Sequence, residues 1–285
     1  MKDSDCVEPL DEIIRVMNDA QGLDLSIFDA TFLRKAIDAR RLLHGLKTVA
    51  AYGAYLAQEE SEALELGRSL RITYTEFFRN PLTFALLEQM ILPGLVEARR
   101  KSGGGEIRVW SAGCAAGQEA WSMAMLLDER IGSDTRTISF RLFATDLSES
   151  DLALARAGVY SAEEVGNVSA RRLRDYFSRK GDSFTIIPRL RERVEFSVYD
   201  LLDHDSASPA TSIYGDFDLI LCCNVLFYYR RDIRRQILDK LCRALSPGGY
   251  FVTGEAEKDM VIRHKGLSVV TPPAAVFKKT PGSSG

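Results

Sequence analysis

After Pro81, short apolar runs alternate with longer amphipathic stretches, and each run stops at a glycine, an acid or an amide. That alternation confines the chain to a doubly wound α/β sheet. Ile107–Trp110 reads as a first strand that ends in Ser111-Ala112-Gly113-Cys114-Ala115-Ala116-Gly117, and a helix follows from about Glu119 to Arg130. Phe140–Ala144 runs into Thr145-Asp146, after which Ser148 caps the next helix. Val194–Val198 ends at Tyr199-Asp200. Phe217–Cys222 is a near-continuous apolar block, the signature of a strand buried on both faces of a parallel sheet. A helix from about Arg231 to Leu245 stops at Ser246-Pro247-Gly248-Gly249, Tyr250–Thr253 is a fifth strand, and Val269-Val270 with Ala275–Phe277 predicts a closing hairpin.

Before Pro81 the texture differs. From Asp11 to about Leu70, apolar residues such as Ile13, Ile14 and Met17, then Phe28, Phe32, Leu33 and Ile37, recur at three- and four-residue steps. The expectation is a small all-helical domain over residues 1–71, then one α/β domain over 72–280. Residues 281–285 are set aside as a disordered tail. Arg34, Lys35, Arg40, Arg41, His44 and Lys47 form a basic set in the helical part, which alone reads as a solvated helix face.

With 285 residues, 46% of them hydrophobic, the chain has ample material for a core. Its formal charge of −3 argues against a general nucleic-acid binder. No run approaches the ~20 apolar residues that span a bilayer, and the polar, acidic start does not resemble a secretory signal. The five cysteines include no Cys-x-x-Cys pair, and the three histidines have no metal-ligand spacing. A cytoplasmic protein without a structural metal is expected.

In open α/β sheets, ligands bind at the carboxyl ends of the strands. There the first strand offers a glycine turn, Gly113 and Gly117, opening onto a helix N-terminus. Asp146 ends the second strand, where an acid grips ribose hydroxyls. The glycine order is not Gly-x-Gly-x-x-Gly, and Asp146 lies further on than the ~20 residues of a dinucleotide fingerprint, so NAD is disfavoured. Asp200 ends the third strand, facing an adenine amino group or serving as a turn residue. Asn224 closes the very apolar fourth strand.

Thr75-Glu76-Phe77-Phe78-Arg79, Ser111 to Glu119, Ala144-Thr145-Asp146, Ala155-Arg156-Ala157-Gly158-Val159-Tyr160 and Cys223 to Tyr228 occur in one order. That order and spacing resemble the chemotaxis receptor methyltransferases, the CheR family, from about Ile72 to Glu257. The resemblance implies a class I methyltransferase sheet with a small β-subdomain inserted at about 157–193, and S-adenosylmethionine as cofactor, leaving as S-adenosylhomocysteine. It places Thr73, Thr75 and Arg79 over the cofactor, with Gly113 in the turn beneath it. Glu119 would hold the methionine end and Asp146 the ribose. Asp200 and Leu201 would lie at the adenine, where the family usually has Asn-Leu. Asn224 and Val225 would lie near the reacting methyl, with Tyr228 close by. The implied acceptors are glutamates on the cytoplasmic helices of methyl-accepting chemotaxis receptors. The planar fork of Arg79 suits it to orient the acceptor carboxylate, and Tyr228 is the candidate to assist by hydrogen bonding.

The chain departs from the family at Gln118, Ala120-Trp121, Cys223, Tyr229-Arg230 and Gly254-Glu255-Ala256-Glu257. Cys223 stands where an Arg is usual. These departures favour cofactor binding over receptor methylation as the safer expectation. They leave open a methyltransferase for another protein or small molecule, and a non-catalytic cofactor-binding module. The inserted segment around Lys180-Gly181-Asp182-Ser183 is short, so no dependence on a receptor C-terminal peptide is expected. Arg171, Arg172, Arg174, Arg189, Arg191 and Arg193 make the insert basic, either as a face that steers acidic helices or as scattered solvated side chains.

Overall fold

The computed structural model describes residues 8–70, 74–132, 137–212 and 215–280. The chain divides into two compact units, Met1–Ile72 with Phe227–Arg234, and Thr73–Leu226 with Arg235–Gly285.

The first unit is helical: α1 (Glu8–Gln21), α2 (Ala30–Leu43), α3 (Val49–Leu56) and α4 (Glu60–Ser69). Asp29 caps α2 by accepting the N–H groups of Thr31 and Phe32, and Thr48 caps α3 through Ala51. The recurring apolar positions meet inside, with Ile13, Met17, Leu33, Ile37, Tyr52, Leu56 and Leu66 all buried. One carboxylate shares that core. Glu62 is 3% exposed and accepts hydrogen bonds from Arg40, His44 and the Tyr52 hydroxyl, joining α2, α3 and α4. Arg41 turns onto Asp38 and the carbonyls of Leu46 and Lys47. Three members of the basic set are therefore engaged inside the unit rather than offered as a solvated face.

In the second unit α5 (Pro81–Leu86) continues through a π turn (Leu87–Ile91) into α6 (Leu92–Lys101). Pro93 has no N–H and crowds the preceding turn, so the backbone widens there, and the Leu92 N–H reaches Leu87. The sheet strands are β1 (Gly105–Ala112), β2 (Ile138–Asp146), β6 (Val194–Val198), β7 (Phe217–Cys222), β8 (Leu245–Thr253), β9 (Leu267–Val269) and β10 (Val276–Lys279). Their order is β6-β2-β1-β7-β8-β10-β9. The five from β6 to β8 run parallel, and β10 lies antiparallel between β8 and β9. Helices α7 (Gln118–Ile131), α8 (Glu149–Ala157) and α11 (Arg231–Ala244) make crossovers between the parallel strands. The expected doubly wound sheet, with its antiparallel hairpin, is present. The breaker run Ser246-Pro247-Gly248-Gly249 lies within β8, where the register against β7 shifts after Phe217, so these residues bulge a strand rather than form a separate loop.

A second, three-stranded antiparallel sheet is inserted between α8 and β6, in the order β3-β5-β4 from β3 (Val159–Ser161), β4 (Phe177–Lys180) and β5 (Ser183–Ile186). It is accompanied by α9 (Ala170–Tyr176) and α10 (Pro188–Arg191). Most of its arginines face acids or carbonyls of the same unit. Arg171 and Arg172 pair with Glu129, Arg174 with Asp175 and Arg189 with Asp128, while Arg191 donates to the Arg156 carbonyl. The basic count of the insert is thus largely balanced on the spot.

Candidate functional site

The sheet reverses its winding between β1 and β7, so the loops after these two strands open a crevice at their carboxyl ends. The turn after β1 needs left-handed backbone at Gly113 (φ 82°), Ala115 (φ 46°) and Gly117 (φ 90°). A Cβ on Gly113 would sit 2.5 Å from Cγ2 of Val225, so the loops after β1 and β7 approach as closely as they do only because position 113 is bare. Asp146 ties the turn down. One carboxylate oxygen accepts the Ala115 N–H at 2.9 Å and the other accepts the Ser148 N–H at 2.9 Å. It remains half-buried, with acceptor capacity to spare.

Glu119 lies in the first turn of α7 and accepts the Ser111 hydroxyl at 2.7 Å. Burial pushes its pKa upward, against the pull of hydrogen bonds from Cys223 and Ser111 and the field of Arg79. Burial raises Asp146 as well, against backbone hydrogen bonds from Ser148 and Ala115. Both acids thus lie at strand ends with burial working against their ionised forms, and a ligand donor or cation at either would relieve that cost.

Asn224 follows β7 in the left-handed region, φ 61°, and its buried Oδ1 has no hydrogen-bond partner among the described residues. What holds this strained residue is Glu257, fully buried. Its carboxylate accepts the N–H groups of Asn224 (2.7 Å), Leu226 (2.6 Å) and Gly254 (3.0 Å) and the hydroxyl of Thr253 (2.8 Å). Sequence reasoning gave Glu257 no role, although the Gly254 to Glu257 run was visible as a motif.

The loop Thr75–Asn80 is strained too, with Phe78 at φ 52° and Asn80 at φ 63°. Phe77 is buried, and the Phe78 N–H donates to the Ser122 hydroxyl at 3.0 Å. Arg79 bends back on this loop, donating to the Tyr74 carbonyl at 2.8 Å with its guanidinium 5.2 Å from the Tyr74 ring centre. Thr75 is half-buried beside it, and Thr73 lies outside the described residues. Among the described residues, four of the five left-handed non-glycine residues, Phe78, Asn80, Ala115 and Asn224, fall in these three loops, which is where strain is stored when a ligand must be gripped.

Beyond β6, Asp200 is exposed and closes a turn by accepting the Leu202 N–H at 2.8 Å, while Leu201 is buried. One oxygen of Asp200 is thus used in the turn, and its exposed carboxylate keeps acceptor capacity for a ligand donor. Sequence reasoning also passed over Leu147, which follows Asp146 with its apolar side chain 52% exposed, and Val198, the register partner of Asp146 and equally exposed. Tyr228 belongs to the helical unit, where its carbonyl accepts the Asp29 N–H and its ring lies 4.9 Å from that of Phe32.

A buried amide oxygen without a partner among the described residues, two carboxylates raised by burial and exposed apolar side chains where β2 and β6 end fit a ligand with an ammonium, vicinal hydroxyls and a flat aromatic base. S-adenosylmethionine has all three. The family described as CheR methyltransferase, SAM binding domain, matches residues 73–270. Chemotaxis protein methyltransferase 1 of Pseudomonas aeruginosa is 37% identical over 187 residues, 64% of this chain and 65% of that protein. The chemotaxis protein methyltransferase of Listeria monocytogenes is 30% identical over 262 residues, covering 90% of this chain and 92% of its own length. That of Borreliella burgdorferi is 28% identical over 275 residues, 95% of this chain and 94% of its own. A match running through the strained loops and the sheet that carries them leaves one reading of the crevice: this chain belongs to the CheR methyltransferase family.

Proposed function

We propose that this protein transfers a methyl group from S-adenosylmethionine to glutamate side chains on the cytoplasmic helices of methyl-accepting chemotaxis receptors, leaving glutamate methyl esters. The observation that carries the cofactor half is Asn224, held in a left-handed conformation by Glu257 with its Oδ1 buried and unmatched. A buried acceptor without a partner costs about 1–3 kcal/mol, which a ligand donor would recover. The names of the relatives support the receptor half.

In this reading Glu119 faces the ammonium of the cofactor's methionine end and Asp146 its ribose. Thr75, Val225 and Leu201 complete the walls, and Asp200 stands at the adenine. Bound S-adenosylmethionine supplies a methyl group already activated by the sulfonium. The acceptor needs no general base, because a glutamate with a pKa near ~4.3 is ionised at neutral pH. The task left to the chain is alignment, which is worth up to ~7–11 kcal/mol. Arg79 leaves the Tyr74 carbonyl to fork the acceptor carboxylate, for which its planar guanidinium is suited. The short turn of the inserted sheet supports methylation without a receptor C-terminal peptide.

The test is methyl transfer from methyl-labelled S-adenosylmethionine to purified receptor cytoplasmic fragments, with and without their C-terminal peptides. Label released as methanol by mild base, equally from both fragments, is the expected result. Base-stable label would point to another acceptor group. Tight binding of S-adenosylhomocysteine with no transfer to any receptor would leave a binding module.

A further inference from the structure

The inserted sheet opens at Gly158-Val159-Tyr160, directly after α8. The side chains of that insert converge on one place. Glu76, Phe77 and Phe78, the three residues before Arg79, are each held by the insert. Asn167 donates to Glu76 at 3.1 Å. Phe77 meets the ring of Tyr160 edge-on at 4.9 Å and that of Phe177 at 5.7 Å. The guanidinium of Arg172, fixed by Glu88 and Glu129, lies 4.7 Å from the centre of the Phe78 ring.

Tyr160 does one thing more. It is 3% exposed, and its hydroxyl donates at 2.8 Å to the carbonyl of Ala116, inside the glycine-rich turn after β1. That carbonyl lies between two left-handed residues, Ala115 and Gly117. Its peptide joins Ala116 to Gly117, and glycine takes left- and right-handed backbone about equally readily, so that peptide is free to reorient unless its oxygen is held. One side chain therefore touches both the turn beneath the cofactor and the loop that ends in Arg79.

We propose that Tyr160 is a positioning residue that fixes the glycine-rich turn against the Arg79 loop, so that the inserted sheet is a working part of the cofactor site. The inference rests on the reading of that turn as the S-adenosylmethionine site. Its hydroxyl holds the turn, and its ring holds the loop.

The test is Tyr160→Phe, which keeps the ring and removes one oxygen, compared with Tyr176→Phe. Tyr176 is in the same insert but gives its hydroxyl to Asp128, away from both loops. Calorimetric titration with S-adenosylhomocysteine should show affinity weakened about three- to tenfold for Tyr160→Phe, the worth of one net hydrogen bond, and unchanged for Tyr176→Phe. Amide hydrogen exchange of residues 113–118 should quicken in Tyr160→Phe alone. A purely structural hydroxyl would lower the melting temperature and leave affinity and exchange in the turn as they were. Wild-type affinity in Tyr160→Phe would overturn this inference and leave the cofactor reading standing. Absence of binding by the wild-type protein would overturn both.

Discussion

The carboxylate of Glu257 accepts the backbone N–H of Asn224 at 2.7 Å, linking residues 33 positions apart. A backbone amide in the left-handed region is kept there by a buried anion that also binds Leu226, Thr253 and Gly254. Glu257→Gln keeps the shape but sets an NH2 group against N–H donors. We expect a loss of about 2–3 kcal/mol in stability and at least tenfold weaker binding of S-adenosylhomocysteine. Thermal melts and calorimetry check the two effects, and unchanged affinity would show that Asn224 does not need its anchor.

Gly113→Ala and Gly132→Ala make a matched pair. Both glycines have positive φ, 82° and 64°, so alanine is strained at either one. A Cβ at 132 meets nothing within 4 Å, whereas at 113 it strikes Val225. Gly132→Ala should lower stability and bind S-adenosylhomocysteine normally, while Gly113→Ala should lose more than tenfold in affinity. Equal affinities in the two variants would remove position 113 from the site.

Burial raises the pKa values of Glu119 and Asp146, and both are proposed to bind as anions. An acid with a raised pKa takes up its proton early as pH falls, so the binding-competent form is lost above the range in which an exposed carboxylate titrates. Affinity for S-adenosylhomocysteine should therefore decline on acidification before pH ~4.5 is reached. Glu119→Gln should bind more weakly at neutral pH and show a flatter acid limb. Titrations across pH read both, and a wild-type profile that is flat down to the ordinary carboxylate range would contradict the assignment.

In the helical unit, burial of Glu62 by itself would raise its pKa, but hydrogen bonds from Arg40, Tyr52 and His44 outweigh it and hold the group at about 2. The folded pKa lies below the ordinary value of 4.5, so the stabilisation is full above that value and drains away as pH falls towards 2. Glu62→Gln should cost about 3 kcal/mol at neutral pH and lose that part of the acid dependence. Urea denaturation followed by far-UV circular dichroism at several pH values measures the difference, and parallel profiles for the two proteins would count against it.

The strands were legible because apolar blocks such as Phe217–Cys222 carry their burial on both faces in composition alone. The turn at Gly113 and the acid at Asp146 could be read because ligand chemistry at strand ends uses few residue types. Two things were hidden. The partners of Glu257 lie 31 to 33 positions away or within its own turn, and no local pattern distinguishes a buried anchoring carboxylate from a solvated one. Arg171, Arg172 and Arg189 could be a steering face or scattered solvated side chains until Glu129 and Asp128, some 40 to 60 residues earlier, were brought against them. Periodicity and residue type by themselves determined the main elements and their class, because those depend on near neighbours, while the inserted subdomain and the Arg79 loop were implied by the family resemblance. Which charges are cancelled, which backbone strain is held and which ring ties one loop to another were decided only by the tertiary structure, because those energies belong to pairs of residues that meet when the sheet is assembled.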